Sequence, residues 1–306
     1  MKPIVVHRQD PNNVGDIYCN PLMYYGIEHD VIDIENLHYQ QYDSDRPVIV
    51  GGGGLIENEL FGDVLRRLLV SCDFMALQDA GATLWKVAQA DNAHLRKEFQ
   101  KKVNALISEY IQKINLAKGA PRIVWGAGHN TAMTKRPRAL EWPGYLSSFD
   151  LVGLRDADSP HDYVPCASCL HPSFEKTYEI KNDIIIFEHK KQLIKSADFG
   201  KHAISRFINS GNNIEQTIEI LGSANIIITN SYHGAYWGYL LGKKVIVVEP
   251  WSSKFFQLKP FPQIIYKIDR LNDLDQIIES TKVPDGYLEE CKIINNEFAK
   301  QVKEML

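Results

Sequence analysis

The sequence predicts an α/β fold in which two Rossmann-like domains face a cleft. Short apolar segments alternate with amphipathic helical segments, and this alternation is typical of a parallel sheet covered by helices on both faces. Polar or glycine-rich turns follow several of the apolar segments, at the positions where open parallel sheets bind ligands. The length of 306 residues favours about two domains of ~150 residues each.

Three apolar segments of the first half are typical of buried strands, at residues 3–6, 47–50 and 122–125. A polar turn follows the first segment, and glycines follow the other two. Before the third strand, apolar residues recur every three or four positions and predict one face of a long helix: Leu95, Phe99, Val103, Leu106, Tyr110 and Ile114.

The second half repeats this alternation, with predicted strands at residues 183–187, 225–229 and 244–248. Ile214, Ile218 and Leu221 mark an amphipathic helix, residues 233–241 form a buried helix, and the last 20 residues form another helix. We predict domains at residues 1–172 and 173–306, with the final helix able to pack back on the first domain.

Composition and charge narrow the class of protein. The net charge of −4 and the pI of about 6.2 argue against nucleic-acid binding, which usually needs a basic surface. The first residues lack the pattern of a signal peptide, and no run reaches the ~18 apolar residues of a membrane-spanning helix. Five scattered cysteines favour a reducing compartment over a disulfide framework. We therefore expect a cytoplasmic protein.

Four segments follow predicted strands and have residue types suited to anion binding: residues 13–16, 51–54, 126–129 and 230–234. Backbone N–H groups at the N-terminus of a following helix would face a ligand there. Four consecutive glycines at 51–54 allow close approach of a ligand to the backbone, although a tight turn is the structural alternative. The spacing fits neither a dinucleotide fingerprint nor a phosphate-binding loop.

Three single residues are the main candidates for chemistry. His233 starts a predicted helix, whose dipole favours the neutral imidazole until an anion binds; the alternative is a hydrogen-bonded interface histidine. Arg155 suits two-pronged binding of carboxylate or phosphate, or else an ion pair with Asp156 or Asp158. Lys254 is a further candidate cation, with a solvated surface lysine as its alternative.

The segment from Cys166 to His171 contains Cys166, Cys169 and His171, which suggests a zinc site. A structural zinc site usually has four ligands in two separated pairs, and no second pair is evident in the sequence. Packing of an interdomain loop is therefore the favoured interpretation. His189, after the predicted strand at 183–187, is a weaker site candidate.

These segments, taken in order, resemble the polysaccharide pyruvyltransferases. The resemblance spans residues 13–255 and rests on Asn13-x-Gly15-Asp16, Gly51-Gly52-Gly53-Gly54, Gly126-x-Gly128, Leu154-Arg155-Asp156 with Ser159, Thr229-Asn230-Ser231-Tyr232-His233-Gly234 and Lys254. Two positions depart from the family pattern. Ser231 stands where many members have arginine, and Cys166 stands where many have aspartate.

The resemblance implies a fold like that of the B-type glycosyltransferases and transfer of a pyruvyl group from phosphoenolpyruvate onto sugar hydroxyls. It implies His233 as the catalytic residue. The residues themselves predict no metal and no cofactor, because the sequence shows neither a carboxylate cluster for a divalent cation nor the glycine fingerprint of nicotinamide binding. The acceptor sugar, lipid-linked at the inner membrane face or a nucleotide sugar, would bind the first domain and phosphoenolpyruvate the second. The implied substrate-binding residues are Arg155, Lys254, Ser231, Tyr232, Gly234, Asn13, Gly15, Asp16, Gly52, Gly53, Gly54, Gly128 and His129.

Two other classes of function stay open from the sequence. A glycosyltransferase that uses a nucleotide sugar would need an acidic residue for the ribose, and Glu249 at a strand end is a candidate. A non-catalytic binding protein could keep the cleft and lose the chemistry, which the replacement at Ser231 favours and the retention of His233, Arg155 and Lys254 opposes.

Overall fold

The computed structural model describes residues 1–34, 46–56, 120–194, 204–267 and 274–306. The helix that the sequence predicts from Leu95 to Ile114 lies outside these residues. Two separate parallel sheets with packed helices confirm the predicted α/β class. No helix of the described residues is both long and apolar enough to cross a membrane.

The first sheet has six strands in the order β2-β1-β3-β4-β5-β6, and each neighbouring pair is parallel. Its strands are β1 (Ile4–His7), β2 (Asp30–Asp33), β3 (Val48–Gly51), β4 (Arg122–Ala127), β5 (Leu151–Leu154) and β6 (Asp162–Tyr163). Residues of β1 and β3 are buried throughout, as expected for central strands covered on both faces.

The second sheet has five parallel strands in the order β11-β10-β9-β7-β8. They are β7 (Asn182–His189), β8 (Ile204–Asn209), β9 (Ala224–Thr229), β10 (Lys244–Val248) and β11 (Gln263–Ile265). The six strands predicted from apolar segments are all present. Their ends differ from the predicted ends by one or two residues at most.

Both sheets have the same doubly wound order. Counted within its own sheet, the first runs 2-1-3-4-5-6, and the second follows the same order without a sixth strand, so the direction of winding reverses between β1 and β3 in the first sheet and between β7 and β9 in the second. Ligands of open α/β sheets bind at such reversals, beyond the carboxyl ends of the strands. The topology therefore points to the turns after β1, β3, β7 and β9.

The described α-helices are α1 (Val14–Ile17), α2 (Ile214–Gly222), α3 (Tyr232–Leu240), α4 (Leu274–Ser280) and α5 (Tyr287–Met305). Asn213 caps α2, because its side chain accepts the N–H of Gln216. Every residue of α3 is buried, so this helix lies inside the second half rather than on its surface.

The C-terminal helix α5 contacts both halves of the chain. Phe298 and Val302 pack with apolar residues of β1, β3 and β4, and the indole N–H of Trp125 donates to Asn295 Oδ1 at 2.9 Å. At the other end of the helix, Tyr287 and Cys291 belong to the core around α3. The helix thus links the first sheet to the core of the second half.

Candidate active site

A cavity of about 130 Å³ lies where the carboxyl ends of the two sheets meet. Its described walls come from residues that end or follow β1, β3, β4 and β5 in the first half, and β7, β8, β9 and β10 in the second. Both winding reversals therefore face one site. The lining residues are Arg8, Asn13, Asp16, Gly53, Gly54, Leu55, Asn130, Arg155, His189, Asn209, Ser231, Tyr232, His233, Trp251 and Lys254.

Arg155 is the most deeply buried cation of this site, with 3% of its surface exposed. It follows β5 directly, and its guanidinium carbon lies 3.8 Å from the ring centroid of Tyr232. Its Nε and Nη1 atoms have no hydrogen-bond partner among the described residues. Because buried guanidinium N–H groups without partners are costly, this arrangement is suited to an anionic ligand.

The two neighbouring carboxylates of Arg155 have other partners. Asp156 accepts the backbone N–H of His129 at 2.8 Å, and burial raises the pKa of Asp156 to about 7. Asp158 lies 3.4 Å from the guanidinium of Arg136. Arg155 itself faces the cavity rather than solvent.

Lys254 approaches the cavity from the turn after β10. Its ammonium lies 3.9 Å from the ring centroid of Trp251. Burial lowers the pKa of Lys254 to about 7, and the positive charge of Arg155 contributes to this shift. In the ligand-free protein, Lys254 is thus only partly protonated near neutral pH.

A loop of the first half positions the turn that carries Lys254. The N–H of Met133 donates to the carbonyl of Trp251 at 3.1 Å, and the N–H of Ser253 donates to the carbonyl of Thr131 at 2.9 Å. The imidazole Nδ1 of His129 lies 2.8 Å from Ser253 Oγ. The chain position of Lys254 is therefore set by contacts with the other half of the molecule.

His233 is the second residue of α3, at the end of the turn after β9. Burial, together with the charges of Arg155 and Lys254, lowers the pKa of His233 well below its ordinary value. Its Nε2 lies 3.8 Å from Cys166 Sγ. A Cβ atom at position 15 would lie 1.8 Å from its Nδ1, so Gly15 leaves the space that the imidazole occupies.

Ser231 caps the N-terminus of α3. Its hydroxyl oxygen accepts the N–H of Gly234, 3.5 Å away, and the amide Nδ2 of Asn209 at 3.0 Å. Gly234 packs against the strand, since a Cβ there would lie 2.5 Å from Thr229 Oγ1. At the position where the family pattern that the sequence resembles has arginine, this chain thus has a short capping side chain.

The turn after β1 supplies polar groups from the first half. Asn13 Nδ2 donates to Asp16 Oδ2 at 2.9 Å, and Arg8 Nε lies 3.8 Å from the same oxygen. Burial raises the pKa of Asp16 to about 6. Lys190 of the second half forms an ion pair with Asp10 at 2.5 Å, which connects this turn to the turn after β7.

The glycines near the site form two groups: some line the cavity, and others leave space for a neighbouring side chain. Gly53 and Gly54 line the cavity, and Gly53 has a φ of +78° that favours glycine. Gly52 packs on Cys19, where a Cβ would lie 2.3 Å from the cysteine Cβ. A Cβ on Gly128 would lie 2.6 Å from Arg155 Nε, so Gly128 makes room for the guanidinium.

The structure brings nine of the fourteen predicted site residues to the cavity wall: Asn13, Asp16, Gly53, Gly54, Arg155, Ser231, Tyr232, His233 and Lys254. The other five pack behind the described wall: Gly15, Gly52, Gly128, His129 and Gly234. The sequence reasoning missed Arg8, Leu55, Asn130 and Asn209. Arg8 directly follows β1 and Asn209 ends β8, so strand-end position was the signal that could have identified them.

The side chains suggested as zinc ligands face different surroundings. Cys166 contacts His233, Cys169 Sγ accepts from the amide of Asn295 at 3.4 Å, and His171 packs edge-on against Tyr18. Within the described ranges, no group of three or more His, Cys, Asp or Glu side chains is arranged to hold a metal ion. This segment is packed in the manner of a core loop.

Comparison with known proteins supports the resemblance noted in the sequence. Residues 168–252 match the family model of polysaccharide pyruvyl transferase, a segment that contains β7, β9, α3 and β10. The match indicates a transferase that acts on polysaccharide. No curated protein gives a significant match. A crystal structure of an uncharacterized protein from Klebsiella pneumoniae subsp. pneumoniae NTUH-K2044 is similar, with 13% identity, coverage of 86% of this chain and 92% of that chain, and a TM-score of 0.43.

Proposed function

We propose that the chain transfers the pyruvyl group of phosphoenolpyruvate onto sugar hydroxyls, with ketal formation, in the synthesis of a surface polysaccharide or glycan. The observation that carries this proposal is the buried guanidinium of Arg155, whose Nε and Nη1 lack partners among the described residues and which shares a cavity with Lys254 and His233. A small, highly charged anion supplies what these groups lack.

The donor end of the site would bind both charged ends of phosphoenolpyruvate. Arg155 can bind a carboxylate or phosphate through two N–H groups, and Lys254 adds a point charge from the opposite half of the chain. The N-terminus of α3 adds backbone dipoles of the sign that favours an anion. These groups would also stabilise the negative charge of the departing phosphate.

The reaction balances without an oxidant or reductant. A proton adds to C3 of phosphoenolpyruvate and makes C2 electrophilic. One sugar hydroxyl then forms a bond to C2 and loses its proton, and the C2–O bond to phosphate breaks. A second hydroxyl of the same sugar adds to C2 and loses its proton, so the products are the ketal and inorganic phosphate.

His233 is the residue we assign to proton transfer. Its imidazole is neutral in the ligand-free site, because burial and two cations oppose a further positive charge. A bound trianion offsets the charges of Arg155 and Lys254, which raises the pKa of His233 and restores its ability to exchange protons. The anion would thereby activate the group that acts on it.

The acceptor would enter from the first half, next to Gly53, Gly54 and Asn13. The polar backbone and amide groups of these turns suit the hydroxyl groups of a sugar. The acceptor could be carried on a lipid at the inner membrane face or be a nucleotide sugar. The second domain would then hold the donor, as the position of Lys254 after β10 suggests.

The rival function is glycosyl transfer from a nucleotide sugar. It would use Glu249, which directly follows β10 and has a backbone φ of +45°. Glu249 is not among the described residues that line the cavity. A non-catalytic binding protein is the other alternative, motivated by Ser231 at a position where the family pattern has arginine.

Calorimetry distinguishes these functions. Phosphoenolpyruvate and uridine diphosphate are each titrated into the protein, with and without a chelator of divalent cations. We expect phosphoenolpyruvate to bind in both conditions and Arg155→Gln to weaken that binding strongly. Metal-dependent binding of the nucleotide together with no binding of phosphoenolpyruvate would support glycosyl transfer and refute the proposal.

A further inference from the structure

A chain of four buried polar groups ends at the imidazole of His233. The indole N–H of Trp237 donates to Ser168 Oγ at 2.9 Å, and the hydroxyl of Ser168 donates to Cys166 Sγ at 3.3 Å. Cys166 Sγ lies 3.8 Å from His233 Nε2. Trp237, Ser168 and Cys166 have no exposed surface, so water does not compete for these contacts.

The chemistry of the first group fixes the direction of the chain. An indole nitrogen is a donor only, so Ser168 Oγ must accept from Trp237. The single hydroxyl hydrogen of Ser168 is then directed to the sulfur of Cys166. Of the described side-chain contacts of Cys166, the other is His233 Nε2, which can accept the thiol hydrogen.

We infer that Trp237, Ser168 and Cys166 are positioning residues that hold His233 in the tautomer with its hydrogen on Nδ1. Nε2 accepts from the thiol of Cys166, a residue that is not among the described residues lining the cavity. Nδ1 lies on the side of Gly15, next to the turn after β1. The imidazole therefore presents an N–H donor on the side from which the first half of the chain closes the cavity.

In this tautomer Nδ1, the ring nitrogen that Cys166 does not contact, is a hydrogen-bond donor rather than an acceptor. The opposite tautomer would place Nε2–H against the sulfur, which is a weak acceptor, and would leave the thiol hydrogen without a partner among the described groups. It would also present a lone pair, instead of a hydrogen, beside Gly15. The consequence for turnover rests on the proposed function, but the tautomer itself does not.

Nitrogen NMR of the ligand-free protein measures the tautomer directly. With histidine labelled by ¹⁵N, long-range proton–nitrogen correlations identify which ring nitrogen carries hydrogen, and the signals of His233 are assigned by their loss in His233→Gln. We expect hydrogen on Nδ1 in the wild type and in Cys166→Ser, whose hydroxyl keeps the donor. Cys166→Ala removes the donor, so the population should shift toward hydrogen on Nε2.

Cys169→Ala is the matched control, because Cys169 is an equally buried thiol that contacts Asn295 instead of His233. It should leave the His233 signals unchanged. Ser168→Ala provides a second test if Cys166→Ala fails to fold, and it should shift the tautomer in the same direction. Hydrogen on Nε2 in the wild type would overturn the inference. So would a tautomer that is unchanged in both Cys166→Ala and Ser168→Ala.

Turnover provides a separate measurement. If His233 acts on phosphoenolpyruvate, Cys166→Ala should lower kcat about fivefold to tenfold, as expected for loss of one hydrogen bond, and Cys166→Ser should restore it. A wild-type protein that has the Nδ1 tautomer but releases no phosphate would refute the proposed function and leave the positioning chain intact. The two failures are therefore distinguishable.

Discussion

Gly15 and His233 come from opposite halves of the chain and are in direct contact at the site. A methyl group on Gly15 would lie 1.8 Å from Nδ1 and 2.3 Å from Cε1 of the imidazole, distances that no real contact permits. The position of the imidazole therefore depends on the absence of a side chain at position 15 of α1. This contact connects the turn after β1 to the proton-transfer residue that we assign.

Gly15→Ala should displace the imidazole and lower turnover on the order of 10²-fold, since catalytic groups lose that much when misplaced by about 1 Å. Gly144→Ala is the matched control, because a Cβ on Gly144 meets no atom within 4 Å. Steady-state kinetics with both variants checks the prediction. Equal turnover in the two variants would show that the position of His233 does not matter.

His233→Ala should leave the fold intact and lower turnover by about 10²-fold or more, the range for general acid–base groups. His161→Ala, a change at a partly exposed histidine away from the cavity, should have no such effect. Phosphate release and circular dichroism together check both parts. Near wild-type turnover in His233→Ala would remove this residue from the mechanism.

Arg155→Met should keep or increase the free energy of unfolding of the ligand-free protein, because it removes a buried cation with unpartnered N–H groups. The same variant should lose the stabilisation by phosphoenolpyruvate, which for the wild type is about 2.7 kcal/mol at 100 times Kd. Thermal unfolding with and without the ligand measures both effects. An equal rise of Tm on ligand addition in wild type and variant would show that Arg155 does not bind the anion.

Binding of phosphoenolpyruvate should take up protons at pH above about 7. The pKa of Lys254 is about 7 in the ligand-free protein, so the amine is mostly neutral above that pH and becomes protonated beside a bound anion. Calorimetry in two buffers with different ionisation enthalpies measures the uptake. Part of this proton uptake should disappear in Lys254→Met. It should persist in Lys259→Met, a change at an exposed lysine paired with Glu290.

The lowered pKa of Lys254 also determines the direction in which the stability of the folded protein changes with pH. Its folded pKa lies below the ordinary value of 10.5, so the unfolded chain binds more protons between pH 7 and 10.5. Lys254 therefore makes the free energy of unfolding rise with pH across that window. In Lys254→Met this contribution should be absent, and a pH series of denaturant unfolding should show a smaller rise for the variant. An identical pH profile would contradict the shift.

Ser231→Ala should lower the free energy of unfolding by about 1 kcal/mol, the usual cost of losing an N-cap. The change leaves the amide of Asn209 without its acceptor as well. Chemical denaturation checks the value, with Ser147→Ala as a control at an exposed serine outside the site. No loss of stability would mean that the long contact to Gly234 does not cap α3.

The central strands were predictable because burial on both faces produces continuous apolar segments, as in β1, β3 and β9. Strands β2 and β8 were missed for the opposite reason. Each lies at an edge of its sheet and is partly exposed, so polar residues interrupt its pattern. Local sequence therefore determines the centre of each sheet more clearly than its edges.

Strand-end position also identified much of the candidate site, including Arg155 and His233. The contacts between halves were beyond local sequence reasoning, since they depend on how the two sheets dock. His129 and Ser253 are 124 positions apart, and Cys166 and His233 are 67 apart. No local pattern relates residues at such separations. The residues that pack behind the cavity wall could therefore be identified only from the structure.

Phosphate release from phosphoenolpyruvate in the presence of a panel of sugar acceptors tests the proposed function most directly. We predict release that requires both phosphoenolpyruvate and one class of sugar, matched by an equal amount of pyruvyl ketal on that sugar, and lost in His233→Ala. It should continue in the presence of a chelator. The proposed function would be contradicted if no phosphate were released with any acceptor while uridine diphosphate bound and a nucleotide sugar were consumed.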